Sequence, residues 1–359
     1  MSARRARILT AAALALPLVL AGCAKSEDSG DTAGSGSGGT QVVSTPSTSA
    51  SGGAGCTLQT YGATKLDLKN AVVGFSQSEK EANPFRIAET QSIRDEAKKL
   101  GVKQLLVTNA QSQLSKQISD IQDMINKGAQ ALIVAPLNSD GLEPALNAAK
   151  AKKIPVLTID RKITAKPCDL YLSFLGSNFV EQGKRAAQEM SKAMGGKGKV
   201  AILLGSSGNN VTTDRTKGFE DEIKASSPGI SIVARQTGEF ARDKGQSVME
   251  QIIAAQPDIT GVYAENDEMA LGALVALKSA GKAPGSVVKV VSIDGTRNAV
   301  QKVVDGEIAA VVESNPRFGP LAFKTLTDFY NGTSIPEDVI ISDKLYTKDN
   351  ASAEVGSAY

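Results

Sequence analysis

Histidine and tryptophan are both missing from the 359 residues, and aromatics of every kind amount to 4%. Without histidine the chain cannot build a Ser/His or Cys/His triad, and most zinc sites lose a usual ligand. Enzymatic readings therefore start at a disadvantage, and neither a metal nor a cofactor is implied. Without tryptophan, aromatic contact to a ligand falls to nine Phe and six Tyr. An excess of one charge is lacking too. A formal net charge of +2 is too weak a field to draw nucleic acid. Apolar residues are plentiful, at 41% of a chain long enough for two domain-sized cores.

The N-terminus carries Arg4, Arg5 and Arg7, then an apolar run from Ile8 to Leu20. That run is too short to span a bilayer permanently, so residues 1–22 read as a cleaved signal. It leads into Leu20-Ala21-Gly22-Cys23, which resembles the lipobox of bacterial lipoproteins. The resemblance implies a diacylglycerol on the Cys23 thiol and cleavage just before it. Two or three acyl chains would then anchor the chain stably to the outer face of the cell membrane. The alternative is an ordinary secretory signal with an incidental cysteine.

Residues 24 to about 55 hold Ser, Gly, Thr and Ala and almost nothing large and apolar. Such a stretch cannot bury enough surface to offset its ordering entropy. We assign 23–60 to a disordered tether. Of the three cysteines, Cys56 and Cys168 remain. An exported, oxidising location and an even count fit one disulfide, with two unpaired thiols as the alternative.

From residue 70 short apolar runs alternate with helical periodicity. Ala71–Phe75, Gln104–Thr108, Ala131–Ala135 and Pro155–Ile159 read as strands. Helices are expected over Phe85–Leu100, from Leu114 to about Gly128, and over Leu142–Lys152. The pattern restarts with strands Lys199–Leu204, Ile230–Arg235, Gly261–Ala264 and Val287–Ile293. Its helices are Thr213–Ala225, Asp243–Ala255, Glu268–Ala280 and Thr296–Val304. Continuous apolar strands separated by helices predict an α/β fold of two doubly wound parallel-sheet domains.

Ligands of such sheets bind beyond the carboxyl ends of the strands. Those positions hold Ser76 and Gln77, then Asn83, Phe85 and Arg86, then Asp160 and Arg161. In the second half they hold a Gly/Ser run at 205–208 with Arg215 beyond it, then Phe240, Asn266, Asp294 and Glu313. Carboxylates accept from hydroxyls, Arg and Asn donate, and Phe covers an apolar ring face, which is what a sugar needs. Each also has a plain structural use: Asp and Asn as helix caps, Asp160-Arg161 as an ion pair, Phe85 and Phe240 as core. The Gly/Ser run lacks the Lys-Ser/Thr ending of a P-loop, and no GxGxxG follows the first strand.

Five segments spread from about residue 70 to 345 resemble the ribose/galactose class of periplasmic sugar-binding proteins, the solute-capturing subunits of ABC importers. They are Asn83-Pro84-Phe85, Ile154 through Arg161, Asp214-Arg215 with Gly218-Phe219, Glu265 through Leu274, and Ile293 through Thr296. The resemblance places Asp160, Arg161, Arg215, Asn266 and Asp294 on hydroxyl-binding positions, and Phe85 and Phe240 on ring-packing ones. The ribose type carries Gln near Glu313, Asn where Ala135 stands and a second Phe where Arg86 stands. Those departures, with Gly74-Phe75-Ser76-Gln77, Phe85-Arg86, Ser292 through Gly295, and Val312-Glu313, look more like the galactofuranose-binding branch. A furanose-form hexose or a pentose is therefore the expected ligand.

The resemblance implies a three-crossing hinge, near 176–177, 313–314 and 342–344. The lobes would be 61–176 with 314–342, and 177–313 with 343–359. A monosaccharide would close them, and the closed form would dock on a membrane permease with its ATPase, the binding protein acting as a monomer. Loss of Asp294 or Arg215 should then cost roughly 1.5–3 kcal/mol in binding. Three other readings remain. A sugar-responsive repressor needs a helix-turn-helix where this chain has a signal and tether. A receptor feeding a membrane signalling protein would share every feature above. A glycosidase could use Asp160, Asp294 and Glu313, although each is matched by Arg or Asn.

Overall fold

A computed structural model describes residues 55–359. Cys23, the signal at 1–22 and the tether as far as residue 54 lie outside the described residues.

The chain begins with a short helix α1 (Leu58–Tyr61) and passes through β1 (Val72–Gln77), α2 (Pro84–Leu100), β2 (Gln104–Asn109) and α3 (Leu114–Asn126). It continues with β3 (Ala131–Val134), α4 (Glu143–Ala151), β4 (Val156–Ile159), β5 (Ser173–Gly176) and α5 (Phe179–Met194). Next come β6 (Lys197–Leu204), α6 (Asn210–Ser226), β7 (Gly229–Thr237), α7 (Arg242–Ala255) and β8 (Gly261–Ala264). Then follow α8 (Asp267–Ser279), β9 (Lys289–Asp294), α9 (Arg297–Val304), β10 (Ala310–Glu313) and α10 (Gly319–Tyr330). The chain ends on β11 (Asp338–Ile340), β12 (Leu345–Thr347) and α11 (Ala351–Glu354).

One six-stranded sheet has the order β11-β5-β4-β3-β1-β2, the other β12-β10-β9-β8-β6-β7. Among the strands of the described residues, only β10 and β12 pair antiparallel. This is the expected α/β architecture of two doubly wound sheets, with an antiparallel edge that the apolar pattern did not signal. All four residues of β3, β4 and β8 are buried, because helices cover both faces of each sheet. On one face of the first sheet Phe75, Ile133 and Leu157 pack with Phe323 of α10. On the other, Leu132, Val134 and Val156 pack with Ile121 and Leu146.

The chain passes between the sheets three times: from β5 to α5, from β10 to α10, and from β11 to β12. In each sheet the strand order reverses beside the first strand of its array, β1 and β6. Crevices at such reversals, beyond the carboxyl ends, are where these folds hold ligands.

Residues 55–60 are ordered, which corrects the expectation that the tether reaches residue 60. Cys56 pairs its backbone with Ile335 in both directions, at 2.7 and 2.8 Å. Thr57 and Thr60 form a reciprocal cap on α1. A disulfide joins Cys56 to Cys168, with Cα atoms 5.3 Å apart and a sequence separation of 112. Serine at both positions is expected to lower unfolding free energy by roughly 3–5 kcal/mol, through loop-closure entropy restored to the unfolded chain. A urea midpoint unchanged from wild type would show that the crosslink constrains nothing.

Candidate functional site

A small cavity lies between the facing carboxyl ends of the two sheets. Its wall includes Asn83, Phe85, Arg86, Asp160 and Arg161 from the first half and Arg215, Phe240, Asn266 and Asp294 from the second. Nine of the twelve expected residues thus meet at one place. Glu79 and Val211 complete the wall. Glu79, two residues past β1, stood within reach of the strand-end rule. Val211 carried no signal, being an apolar residue in the first turn of a helix.

Ser76, Gln77 and Glu313, also expected at the site, do not line this cavity. Ser76 and Gln77 belong to β1 itself, so helices cover their side chains. Gln117 of α3 donates to Ser76 Oγ at 3.3 Å, and Gln77 Nε2 donates to Glu89 at 2.8 Å and Thr90 at 3.1 Å on α2. Glu313 accepts from the Lys344 backbone N–H and the Tyr346 hydroxyl, both at 3.0 Å. It thereby joins the second crossing to the third.

The first half of the wall is an ion network. Arg86 donates through Nη1 to Asp160 at 2.7 Å and Glu89 at 2.8 Å, and through Nε to Glu79 at 3.2 Å. Arg161 donates to the other Glu79 oxygen and to the Leu137 carbonyl at 3.0 Å. Arg161 Nε is buried and has no hydrogen-bond partner among the described residues. In the second half Arg215 donates through Nε to Gln182 at 2.9 Å and through Nη1 to the Glu265 carbonyl. Its Nη2 lies 3.5 Å from Asp294. Asn83 and Asn266 serve as helix caps and wall residues together. Each accepts from a first-turn N–H with its oxygen and turns its amide nitrogen to the Phe240 carbonyl, at 3.4 and 3.1 Å.

Three wall residues hold left-handed backbone: Asp160 at φ 65°, Phe240 at φ 60° and Asp294 at φ 137°. Side chains with a Cβ pay strain there, and such outliers concentrate at functional sites. The turn at Asp294 separates it from Glu313, its rung partner at the end of β10. Asp294 enters the wall while Glu313 stays with the crossing.

Buried charge shapes the titration. Burial pushes the Glu79 carboxyl up, but Arg161 and Arg86 overcome it and hold it down to about 2. Burial drives Asp294 well above its ordinary value, opposed by Arg215 and reinforced by Asp267 and Asp160. Burial likewise raises Glu89, Glu265 and Asp343 to about 7 each. Glu89 has room for the proton, since its Oε1 is buried without a partner among the described residues.

A carboxyl raised on folding binds more protons folded than unfolded. Its stabilisation is complete below about pH 4 and lost as pH rises through 7. Thermal unfolding is therefore expected several degrees higher at pH 5.5 than at pH 8, a difference of roughly 2 kcal/mol for each carboxyl that keeps its full shift. Below about pH 4 Glu79 reverses the trend, because its salt bridges are lost on protonation. A flat Tm between pH 5.5 and 8 would mean that these three carboxyls ionise without penalty.

Residues 73–334 match the periplasmic binding protein domain. The galactofuranose-binding protein YtfQ of Escherichia coli (strain K12) is 36% identical over 288 residues, 79% of this chain and 90% of that protein. The ribose import binding protein RbsB of Bacillus subtilis (strain 168) is 34% identical over 267 residues, covering 74% and 84%. Among solved structures, the periplasmic binding component of the arabinose ABC transporter from Shewanella sp. ANA-3, bound to α- and β-L-arabinofuranose, superposes with a TM-score of 0.76. It is 35% identical and covers 80% of this chain and 95% of its own. Profile, relatives and paired sheets agree along nearly the whole described body, and the chain belongs to the periplasmic binding protein family.

Proposed function

We propose that this chain captures a monosaccharide in its furanose form between its two lobes and delivers it to an ABC permease. The ligand is a hexofuranose such as galactofuranose, or a pentose. The observation that carries the reading is the cavity wall. Guanidinium donors and carboxylate acceptors from both sheets converge on one small space at the facing strand ends, the mix of apolar and placed polar groups that ligand sites use. Arg161 Nε, which lies 3.7 Å from Asp160 and makes no hydrogen bond among the described residues, is a donor for a hydroxyl, and Phe85 and Phe240 offer apolar faces to the ring. The kinship with galactofuranose- and arabinofuranose-binding proteins supports the furanose form.

In this reading the nine wall residues named from sequence contact the sugar, and Glu79 holds Arg86 and Arg161 in place. The lobes are 61–176 with 314–342 and 177–313 with 343–359, and they rotate about the crossings. The protein is a monomeric carrier without turnover, so aryl glycosides should pass through it unhydrolysed. Calorimetry with ring-locked analogues tests the ligand. 1,4-Anhydrogalactitol, fixed as a five-membered ring, should bind at least tenfold more tightly than the six-membered 1,5-anhydro isomer. The reverse order would rule out the furanose form. Cys23 would carry the lipid anchor after removal of residues 1–22. Cys23→Ala should release folded, sugar-competent protein into the medium, and a membrane-bound mutant would end the lipoprotein reading.

A further inference from the structure

Behind the cavity wall, one buried amide touches the cavity arginine on one side and the hinge on the other. Gln182 sits on α5 with 1% of its surface exposed and lines no part of the cavity. Its Oε1 accepts from Arg215 Nε at 2.9 Å. Its Nε2 donates to the Asp343 carboxylate at 2.8 Å and to the Glu313 carbonyl at 3.2 Å. Asp343 in turn accepts from the Ser177 hydroxyl at 3.0 Å. Ser177 belongs to the first crossing, Glu313 stands at the head of the second, and Asp343 lies in the third. One side chain therefore reaches the second and third crossings directly and the first through Asp343.

The amide can face only one way. Arg215 has donors alone, so it must meet the amide oxygen, and the backbone carbonyl of Glu313 must meet the NH₂. Arg215 gives its remaining nitrogens to the Glu265 carbonyl and to Asp294 in the cavity wall. Its plane is thus set from behind by Gln182.

We propose that Gln182 is the positioning residue that couples the cavity to the hinge. It holds Arg215 in its ligand-facing orientation only when the three crossings are in the arrangement seen here. Opening the lobes turns the backbone at those crossings and loosens the amide's hold on Arg215; a sugar on Arg215 and Asp294 tightens it. The proposal rests on the sugar-capture reading and adds how capture and closure are linked.

Two variants test it, with wild type measured alongside. Gln182→Met keeps length and packing but removes every polar partner. It should bind the best sugar of the panel about tenfold to a hundredfold more weakly, with a faster dissociation rate and an association rate within about threefold of wild type. Gln182→Glu still accepts from Arg215 but sets a carboxylate against Asp343. The charged groups around that contact are Glu313, Arg215 and Arg185. Its affinity relative to wild type should be lowest at pH 8 and recover at pH 5.5, where a shared proton can bridge the two carboxyls. A merely structural amide would lower Tm and leave this ratio flat. Wild-type binding matched within twofold by Gln182→Met would overturn the proposal. If that variant does not fold, a pH-independent ratio for Gln182→Glu would do so. Wild type that binds no sugar at all would instead sink the sugar-capture reading itself.

Discussion

Arg215→Met is expected to weaken sugar binding at least about a hundredfold and to lower thermal stability as well. Arg215 is 3% exposed, with its guanidinium divided among Gln182, the Glu265 carbonyl and Asp294. Asp294 is already pushed towards its neutral form by burial, with Asp267 and Asp160 adding to the effect and Arg215 opposing it. Removing the cation that pairs with it, with only the weaker influence of Arg86 left, strands a buried carboxylate, a loss typically of about 3–5 kcal/mol. The protein can soften this by protonating Asp294, but a neutral carboxyl is a weaker acceptor for a sugar hydroxyl. Truncating one partner of such a pair generally costs binding about 2–5 kcal/mol. This exceeds the roughly 1.5–3 kcal/mol expected for a single charged hydrogen bond, because the structure shows how deep the pair lies. Arg215→Lys should fall between, since one ammonium cannot span three directions. Calorimetry at pH 7 decides it. Wild-type affinity in Arg215→Met would remove the Arg215–Asp294 pair from the ligand site.

Much of this site could be read in the sequence because strand ends and helix starts coincide there. Asn83-Pro84 and Asn266-Asp267 are helix-initiating pairs that the structure uses as such, and their amide nitrogens reach the cavity rim from the cap. Gly101, the residue directly after the expected helix Phe85–Leu100, ends α2 in left-handed backbone. The strand-end rule locates a residue along the chain but not the direction of its side chain. That is why Gln77 and Glu313 were assigned to the cavity although neighbouring elements cover them. The positive φ of Asp160, Phe240 and Asp294 has no local signature, since none is the glycine such backbone favours. β5, α5 and α10 were not picked out. α10 follows the second array in sequence yet packs with α2 and β4 of the first sheet, and no window of sequence contains that return.

A further feature hidden from periodicity is how closely the helices of the second half approach, and Gly183→Ala is expected to expose it. A Cβ at Gly183 of α5 would lie 2.1 Å from the Arg215 carbonyl oxygen on α6. A Cβ at Gly218 of α6 would lie 2.0 Å from the Val180 carbonyl oxygen on α5. The two glycines let the helix backbones touch, and backbone cannot rotate aside as a side chain would. Alanine at Gly183 must part the helices. Better helix propensity returns at most about 1 kcal/mol. Overpacking costs about 1–3 kcal/mol and more where backbone blocks relief. A net loss near 2–3 kcal/mol should lower Tm by roughly 4–12 °C. The clash falls on the carbonyl of Arg215 itself, so the displacement also pulls the guanidinium from Gln182 and Asp294. Gly183→Ala should therefore lose sugar affinity together with stability, although residue 183 lies outside the cavity wall. Unfolding scans with and without sugar would show both effects. A variant with wild-type Tm would mean that the helices pack less closely than these distances require.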